Sequence, residues 1–371
     1  GLEIFNNKII EKSEIKFDNV ETYNKGKWIK FEGKTSNEEE YIKNAQELAS
    51  LVSDTPWCTK QLASAQLAEG DFYVFVDNEN KPHIAVKMSG NEIDEVRGIA
   101  NGNAQELEEE YREVALSFLE KNKEIKNGKE WLEKEEWNKR LIEYNKKIEN
   151  NEITQEDIPN LINDIFYYKD YRSHYGENTN KEKIILNLEK IKPLLAIYYN
   201  CTEEEIYIGN INYTEYQDPD INTYKIIVGD ANFSNSKEID LSNLKVIEGN
   251  AIFINSKIKD LSSLETIGKN ARFEKSQVKD LKKLRKILGG AQFENSDWEY
   301  LNSWEVIGGD ADFEKSKVKN LNNLKTIGGN ARFANSEIES LNSLEIIGKN
   351  AYIGNSKVKN LNNLKKILGS A

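Results

Sequence analysis

The sequence predicts an α+β N-terminal domain, then a helical connector, then a C-terminal solenoid built from 20-residue repeats. The solenoid is indicated by a fixed period of 20 residues that begins at Gly229 and continues to the last residue. Apolar residues at helical spacing indicate the connector, and strand and helix patterns precede it. These observations divide the 371 residues into 1–121, 122–200 and 201–371, with an N-terminal cap in the last part.

The repeat is defined by five positions that keep their residue type. They are alanine from Ala231 to Ala371, phenylalanine from Phe233 to Phe333, serine from Ser236 to Ser356, leucine from Leu241 to Leu361 and isoleucine from Ile247 to Ile367. The Ala-x-Phe segment alternates with period 2, which predicts one short strand per repeat with Ala and Phe inward. Gly and Asn precede it and favour a turn, because both residues tolerate positive φ.

The order A-x-F-x-x-S-x-V resembles L-x-L-x-x-N-x-L, the signature segment of leucine-rich repeats. Residues 229–371 are therefore similar to a short-repeat bacterial leucine-rich-repeat protein. Ala stands where that family has its first Leu, and Ser stands where it has Asn. A Ser hydroxyl has fewer donors than an Asn amide, so the family's loop geometry does not carry over directly.

The N-terminal part shows strand and helix patterns in turn. Strands are predicted at 16–20, 27–31, 71–77, 82–88 and 92–96, and helices near 37–52 and 104–121. Three segments within 56–119 resemble the PcfJ-like proteins of plasmids and phages. They are Trp57-Cys58-Thr59, Gly70-Asp71-Phe72-Tyr73-Val74 and Glu95-Val96-Arg97-Gly98-Ile99-Ala100-Asn101. That resemblance implies that the protein is encoded on a mobile element, and it implies no defined biochemical activity.

Charge and composition restrict the class of partner and the location. The net charge is −12, and residues 226–371 hold 22 basic and 18 acidic side chains, which leaves 29 and 45 for residues 1–225. An acidic N-terminal half disfavours bulk binding to nucleic acid or anionic lipid. No apolar run reaches the ~18 residues of a membrane span. The first residues lack a signal-peptide pattern, and the two cysteines form no disulfide framework, so we expect a cytoplasmic protein.

Cys58 is the candidate nucleophile, with His83 as its candidate base. Cys58 stands at a predicted helix start, where a thiolate is stabilised, and a nucleophile needs a base within reach. The chain offers only His83 and His174, and His83 lies in a strand of the same domain. The alternative is that Cys58 is a small buried hydrophobe and His83 an exposed strand residue. Because no triad spacing surrounds Cys58, we expect the structural role.

No metal site and no cofactor are predicted. The two cysteines and two histidines lie too far apart in the sequence to provide a zinc spacing. No phosphate loop, nucleophile elbow, zinc-protease or kinase motif is present.

The outward positions of the repeats form the candidate binding site. The residues between Ala and Phe vary while the framework stays constant, which is typical of a contact surface; unconstrained variation at exposed positions is the alternative. The candidates are Arg272, Gln292, Asp312, Arg332 and Tyr352, with Glu274, Glu294 and Glu314 beside them. A row of side chains that carries both positive and negative charges is suited to binding a protein surface and poorly suited to binding a polyanion.

The sequence therefore predicts a protein-interaction module that uses the sheet face of the repeats, in a phage or mobile-element context, and it favours a non-enzyme. Two alternatives stay open. One is an effector enzyme with Cys58 as nucleophile and the repeats for targeting. The other is a phage or plasmid inhibitor that captures a host protein.

Overall fold

The structure is a computed structural model. The chain forms two compact units, with a boundary between Arg140 and Leu141. It describes residues 25–33, 37–100, 107–167, 186–214, 217–258, 260–278, 281–296, 298, 301, 303–359 and 361–370. The predicted strand at 16–20, together with Asn101 and His174, lies outside these ranges. The predicted division at 121 and 200 stays a prediction.

The described residues of the first unit form a four-stranded antiparallel sheet in the order β1-β2-β3-β4, with helices on both faces. Its elements are β1 (Gly26–Phe31), α1 (Glu38–Leu51), α2 (Thr59–Glu69), β2 (Phe72–Asp77), β3 (Pro82–Ser89), β4 (Glu92–Arg97), α3 (Glu109–Lys121) and the start of α4 (Gly128–Glu149). The side chain of Asn37 accepts hydrogen bonds from the backbone N–H groups of Glu39 and Glu40, which caps α1.

Strand β2 shows why both faces of this sheet are covered. Phe72, Val74 and Val76 join the core that α1 and α2 complete. Phe75 lies on the opposite face, where its ring packs against Trp28 and against Tyr111 of α3. Because successive side chains of a strand point to opposite faces, a run of apolar residues in β2 requires cover on both sides.

The second unit begins with helices that cover the first turn of the solenoid. After α4 come α5 (Ile158–Ile162), a π-helical turn (Asn163–Tyr167), a 3₁₀ turn (Leu188–Ile191) and α6 (Lys192–Tyr199). Leu161 and Leu195 share a buried cluster with Ile206 and Ile226 of the solenoid. Without such cover, the apolar end of the first repeat would face water. The predicted helical segment before the repeats is confirmed for its described residues, 122–167 and 186–200.

In the part of the chain that the structure describes, the solenoid contains two parallel sheets, so the prediction of one strand per repeat is wrong. One sheet has nine strands: β5 (Ile206–Ile208), β7 (Ile226–Val228), β9 (Val246–Ile247), β11 (Thr266–Ile267), β13 (Lys286–Ile287), β15 (Val306–Ile307), β17 (Thr326–Ile327), β19 (Ile346–Ile347) and β21 (Lys366–Ile367). The other has eight: β6 (Ile211–Asn212), β8 (Ala231–Asn232), β10 (Ala251–Ile252), β12 (Ala271–Arg272), β14 (Ala291–Gln292), β16 (Ala311–Asp312), β18 (Ala331–Arg332) and β20 (Ala351–Tyr352).

The second sheet arises because the 20-residue spacing repeats every segment. The backbone N–H of Glu248 donates to the carbonyl of Ile227 at 2.9 Å, and that of Gly268 donates to Ile247 at 2.7 Å. The 20-residue spacing also adds one turn at the start of the solenoid, since Ile206 pairs in register with Ile226. Residues 206–212, predicted as part of a cap, therefore contribute strands to both sheets.

A ladder of phenylalanine rings runs through the solenoid core. The rings from Phe233 to Phe333 are fully buried and stack with centroids 5.0–5.8 Å apart and planes within 9–17° of parallel. Trp298 and Trp304 both pack against Phe293, at 5.2 and 4.9 Å, and both are buried. The predicted inward positions are confirmed up to Ile347, whereas Leu361 and Ile367 of the last repeat are half-buried and Ile353 is exposed.

A tight turn follows each Ala-x-Phe strand. The backbone N–H of Ser256 donates to the carbonyl of Phe253, and the residue before the serine has positive φ. That residue is asparagine in most repeats, which tolerates this conformation well. It is lysine at Lys275 and Lys315, both with φ of 55°. These two lysines therefore project beside the Ala-x-Phe sheet.

Candidate functional site

The predicted binding residues lie on adjacent strands of the eight-stranded sheet. Arg272 pairs in register with Gln292, Gln292 with Asp312, Asp312 with Arg332, and Arg332 with Tyr352. Asp312 is half-buried, and the other four side chains are exposed. The row formed by Arg272, Gln292, Asp312, Arg332 and Tyr352 is called the sheet-face stripe. Its backbone spacing is about 4.8 Å, which makes the stripe continuous.

Arg272 is held by a carboxylate of its own repeat. Its Nε and Nη2 atoms donate to Oε1 of Glu274 at 3.0 and 2.7 Å. The two residues are two positions apart and so share one face of the chain. The other carboxylate oxygen of Glu274, Oε2, is buried and has no hydrogen-bond partner among the described residues. Both donors of Arg272 therefore bond to the same oxygen of Glu274.

Arg332 is held by its neighbours in the stripe. Its Nη1 atom lies 3.7 Å from Oδ2 of Asp312, and its guanidinium lies 5.8 Å from the ring centre of Tyr352. Tyr352 is 47% exposed. A planar guanidinium held between a carboxylate and an aromatic ring keeps a defined orientation. The C-terminal half of the stripe is therefore preorganised.

The predicted acidic row contains a lysine that sequence reasoning did not include. Lys315 lies 3.2 Å from Glu314 and 3.8 Å from Glu294, measured from Nζ to the carboxylate oxygens. It belongs to the positive-φ position of the turn, where asparagine alternates with lysine along the repeats. The change from asparagine to lysine at this position was the sequence signal that could have identified Lys315. Lys315 makes the surface beside the stripe less acidic than three glutamates alone.

Cys58 is exposed, so the expectation that it is a small buried residue is wrong. It is the N-cap residue of α2, and its carbonyl accepts the backbone N–H of Leu62 at 3.1 Å. Nη1 of Arg97 lies 3.5 Å from its Sγ atom, and Nε2 of Gln66 lies 3.9 Å away. The buried indole of Trp57 donates to the carbonyl of Gly98 at 2.9 Å. This bond fixes the start of α2 beside the end of β4.

Arg97 also forms an ion pair with Glu95. Its Nη2 atom contacts Oε2 of Glu95, and both side chains are largely shielded from solvent. Burial alone would lower the pKa of Arg97, but the hydrogen bond and charge of Glu95, followed by those of Cys58, raise it above its ordinary value. The guanidinium is therefore shared between a carboxylate and a sulfur.

His83 is buried rather than exposed, and it is not positioned as a base for Cys58. Its Nε2 atom lies 2.9 Å from Oδ2 of Asp77, and its Nδ1 atom contacts Oε2 of Glu108. Its ring stacks on Tyr111 with centroids 4.0 Å apart. Because carboxylates occupy both ring nitrogens, neither nitrogen is available to the thiol. The cluster links β2, β3 and the start of α3.

Asp77→Asn is expected to lower stability at neutral pH and to remove part of its acid dependence. Burial alone would raise the pKa of Asp77, but hydrogen bonds from His83 and from the backbone N–H groups of Lys81 and Glu79 lower it. A carboxyl whose pKa is lowered by folding adds stability above its unfolded pKa and loses it as pH falls through the folded value. Urea unfolding should therefore show the two proteins converging below about pH 4. A difference that stays constant with pH would contradict this role for Asp77.

The described residues contain no group of three or more His, Cys, Asp or Glu side chains placed to hold a metal ion. Among the helices that the structure describes, none is both long enough and apolar enough to cross a bilayer.

Fold and surface together define a parallel β-solenoid protein with 20-residue repeats and an N-terminal unit that combines helices with a sheet. Comparisons with known protein families, with curated proteins and with solved structures found no match for this chain. The resemblances to leucine-rich-repeat proteins and to PcfJ-like proteins accordingly stay predictions from the sequence.

Proposed function

We propose that the solenoid binds a protein partner through the sheet-face stripe. The observation that carries this proposal is the in-register row of exposed arginine, amide and tyrosine side chains across adjacent strands. Arg and Tyr are the residue types that most often dominate protein interfaces. A stack of parallel strands also presents its outward side chains on a rigid backbone, so that little conformational entropy is lost on binding.

The chemistry of the stripe favours a partner surface that carries both charges. Arg272 and Arg332 offer planar donors, while Asp312 offers carboxylate acceptors. A nucleic acid would place its phosphates against Glu274, Glu294 and Glu314, which run beside the stripe. Like charges would then oppose binding, so a polyanion is disfavoured.

The setting of this interaction is part of the same proposal. A plasmid or phage context follows from the PcfJ-like segments, a relation to leucine-rich repeats follows from the spacing, and a cytoplasmic location follows from composition. An inhibitor that captures a host protein would use the same stripe, so it is a special case of the proposal. An effector enzyme built on Cys58 is less well supported, because the side chains that contact its sulfur, Arg97 and Gln66, are not bases at neutral pH.

Full-length chains with a changed stripe test the proposal. Wild type, Arg272→Glu/Arg332→Glu and Lys237→Glu/Lys257→Glu would be used to capture proteins from the same lysate. The two variants change the charge equally, and Lys237 and Lys257 are exposed residues outside both sheets. A protein retained by wild type and by the lysine variant, but not by the arginine variant, would then be identified and titrated by calorimetry.

We expect the arginine variant to bind that protein at least about tenfold more weakly, because a truncated interface arginine often costs ≥2 kcal/mol. The lysine variant should bind within about twofold of wild type. Equal affinity for all three proteins would show that the stripe is not the binding surface.

A further inference from the structure

The residues around Cys58 come from two separate parts of the first unit, helix α2 and strand β4. Cys58 starts α2, Gln66 lies two turns further along the same helix, and Arg97 ends β4. Arg97 is 39 positions from Cys58 in the sequence, yet its Nη1 atom lies 3.5 Å from the sulfur. The bond from Trp57 to Gly98 holds the two segments together. The thiol is thus exposed to solvent and fixed beside a cation.

Gln66 is a second, independent sign that this is a site. Its side chain is only 8% exposed, and its Nε2 atom is directed at the sulfur of Cys58 from 3.9 Å. Its Oε1 atom is buried and has no hydrogen-bond partner among the described residues. Buried amides normally satisfy both their donor and their acceptor, whereas the acceptor of this amide beside Cys58 stays unpaired among the described residues.

We propose that Cys58 is a thiol-modification site that forms a mixed disulfide with anionic low-molecular-weight disulfides such as oxidised glutathione. This inference concerns the first unit and does not depend on the proposed function of the solenoid. Arg97 and the N-terminus of the 11-residue helix α2 both attract negative charge at the sulfur and at the carboxylates of an incoming disulfide. Glu95 opposes this attraction in part, because it shares the guanidinium.

The reaction is a thiol–disulfide exchange. The thiolate of Cys58 attacks one sulfur of the small disulfide, and the bond between its two sulfurs breaks. A new bond joins Sγ of Cys58 to the attacked sulfur, and the other half leaves as a thiolate. The proton of Cys58 goes to solvent before the attack. The small disulfide is the oxidant, so electrons and atoms balance.

Cys201 provides a control within the same molecule. It is half-buried, and burial together with the nearby charge of Glu205 raises the pKa of its thiol. A buried thiol that stays protonated exchanges slowly. Cys58 is exposed beside Arg97, whereas Cys201 is half-buried near Glu205. The ratio of their two modification rates is independent of the reagent and protein concentrations.

The test is the rate of mixed-disulfide formation on the folded full-length chain at neutral pH, followed by intact mass and peptide mapping. Oxidised glutathione is the anionic probe and cystamine is the cationic one. We expect oxidised glutathione to modify Cys58 at least about tenfold faster than Cys201. Unfolding the chain in urea should make the two rates nearly equal, because the difference belongs to the folded structure.

Two charge variants identify the cause. Arg97→Gln should slow the reaction of Cys58 with oxidised glutathione several-fold and leave Cys201 unchanged. Glu95→Gln should speed it, because the guanidinium is released to the sulfur. The preference for oxidised glutathione over cystamine should fall in Arg97→Gln. Equal rates for Cys58 and Cys201 in the folded wild type, or Glu95→Gln and Arg97→Gln rates that match wild type, would overturn the proposal.

Discussion

Phe293→Ala is expected to lower the free energy of unfolding by about 3–5 kcal/mol, the range for a buried phenylalanine truncated to alanine. Phe293 is fully buried, and four rings surround it: Phe273 at 5.0 Å, Phe313 at 5.2 Å, Trp298 at 5.2 Å and Trp304 at 4.9 Å. Stacked strands hold these rings at fixed spacing, so they cannot move inward to fill the cavity. The loss should therefore lie near the upper end of the range.

The measurement is urea unfolding followed by circular dichroism and by tryptophan emission, since Trp298 and Trp304 border the cavity. Gln292→Ala is the matched control, because it lies on the same strand and points outward. It should change stability by no more than about 0.5 kcal/mol. If Phe293→Ala unfolds at the same urea concentration as wild type, the ring ladder does not hold the repeats together.

Gly328→Ala is expected to cost roughly 1–3 kcal/mol, because it inserts a methyl group where two repeats touch. A Cβ atom at Gly328 would lie 2.0 Å from the carbonyl oxygen of Gly308 and 2.8 Å from its carbonyl carbon. Both atoms belong to the backbone, so no change of side-chain rotamer relieves the overlap. The strands on either side would have to separate, which weakens the bond from the Gly328 N–H to Ile307, now 2.8 Å long.

Gly354→Ala is the control for this substitution. A Cβ atom at Gly354 would meet no heavy atom within 4 Å, so the alanine should fit without strain. It should be neutral, or should stabilise the chain by about 0.4–1 kcal/mol through the lower entropy of the unfolded state. Thermal unfolding of both variants distinguishes close packing from a general effect of replacing glycine. Equal melting temperatures for the two variants would count against the packing explanation.

The sheet-face stripe was predictable because equal spacing places equivalent residues side by side in successive turns. The pair between Arg332 and Asp312 follows directly, since these residues are 20 positions apart. The pair between Arg272 and Glu274 follows from strand alternation. The buried oxygen of Glu274 did not follow, because it depends on how closely the adjacent turns pack. The Ser256 hydroxyl has no hydrogen-bond partner among the described residues, whereas that of Ser336 donates to the carbonyl of Phe333.

The second sheet could not be inferred from alternation. Its regular strands are two residues long, such as Thr266–Ile267, and two residues are too few to show a period of 2. Its hydrogen bonds run between turns rather than within one. The pattern within one repeat is therefore the same whether this segment is a strand or a loop.

The repeat length, the inward residues and the order of side chains along the stripe follow from the amino-acid order alone, because a period is visible without knowledge of any contact. The exposure of Cys58 and the burial of His83 follow from packing in three dimensions. Trp57 must dock on Gly98, 41 positions away, before Cys58 can face Arg97. Glu108 must approach from 25 positions away before His83 is enclosed. Local patterns carry no information about such contacts, since their free energy is gained only when distant segments meet.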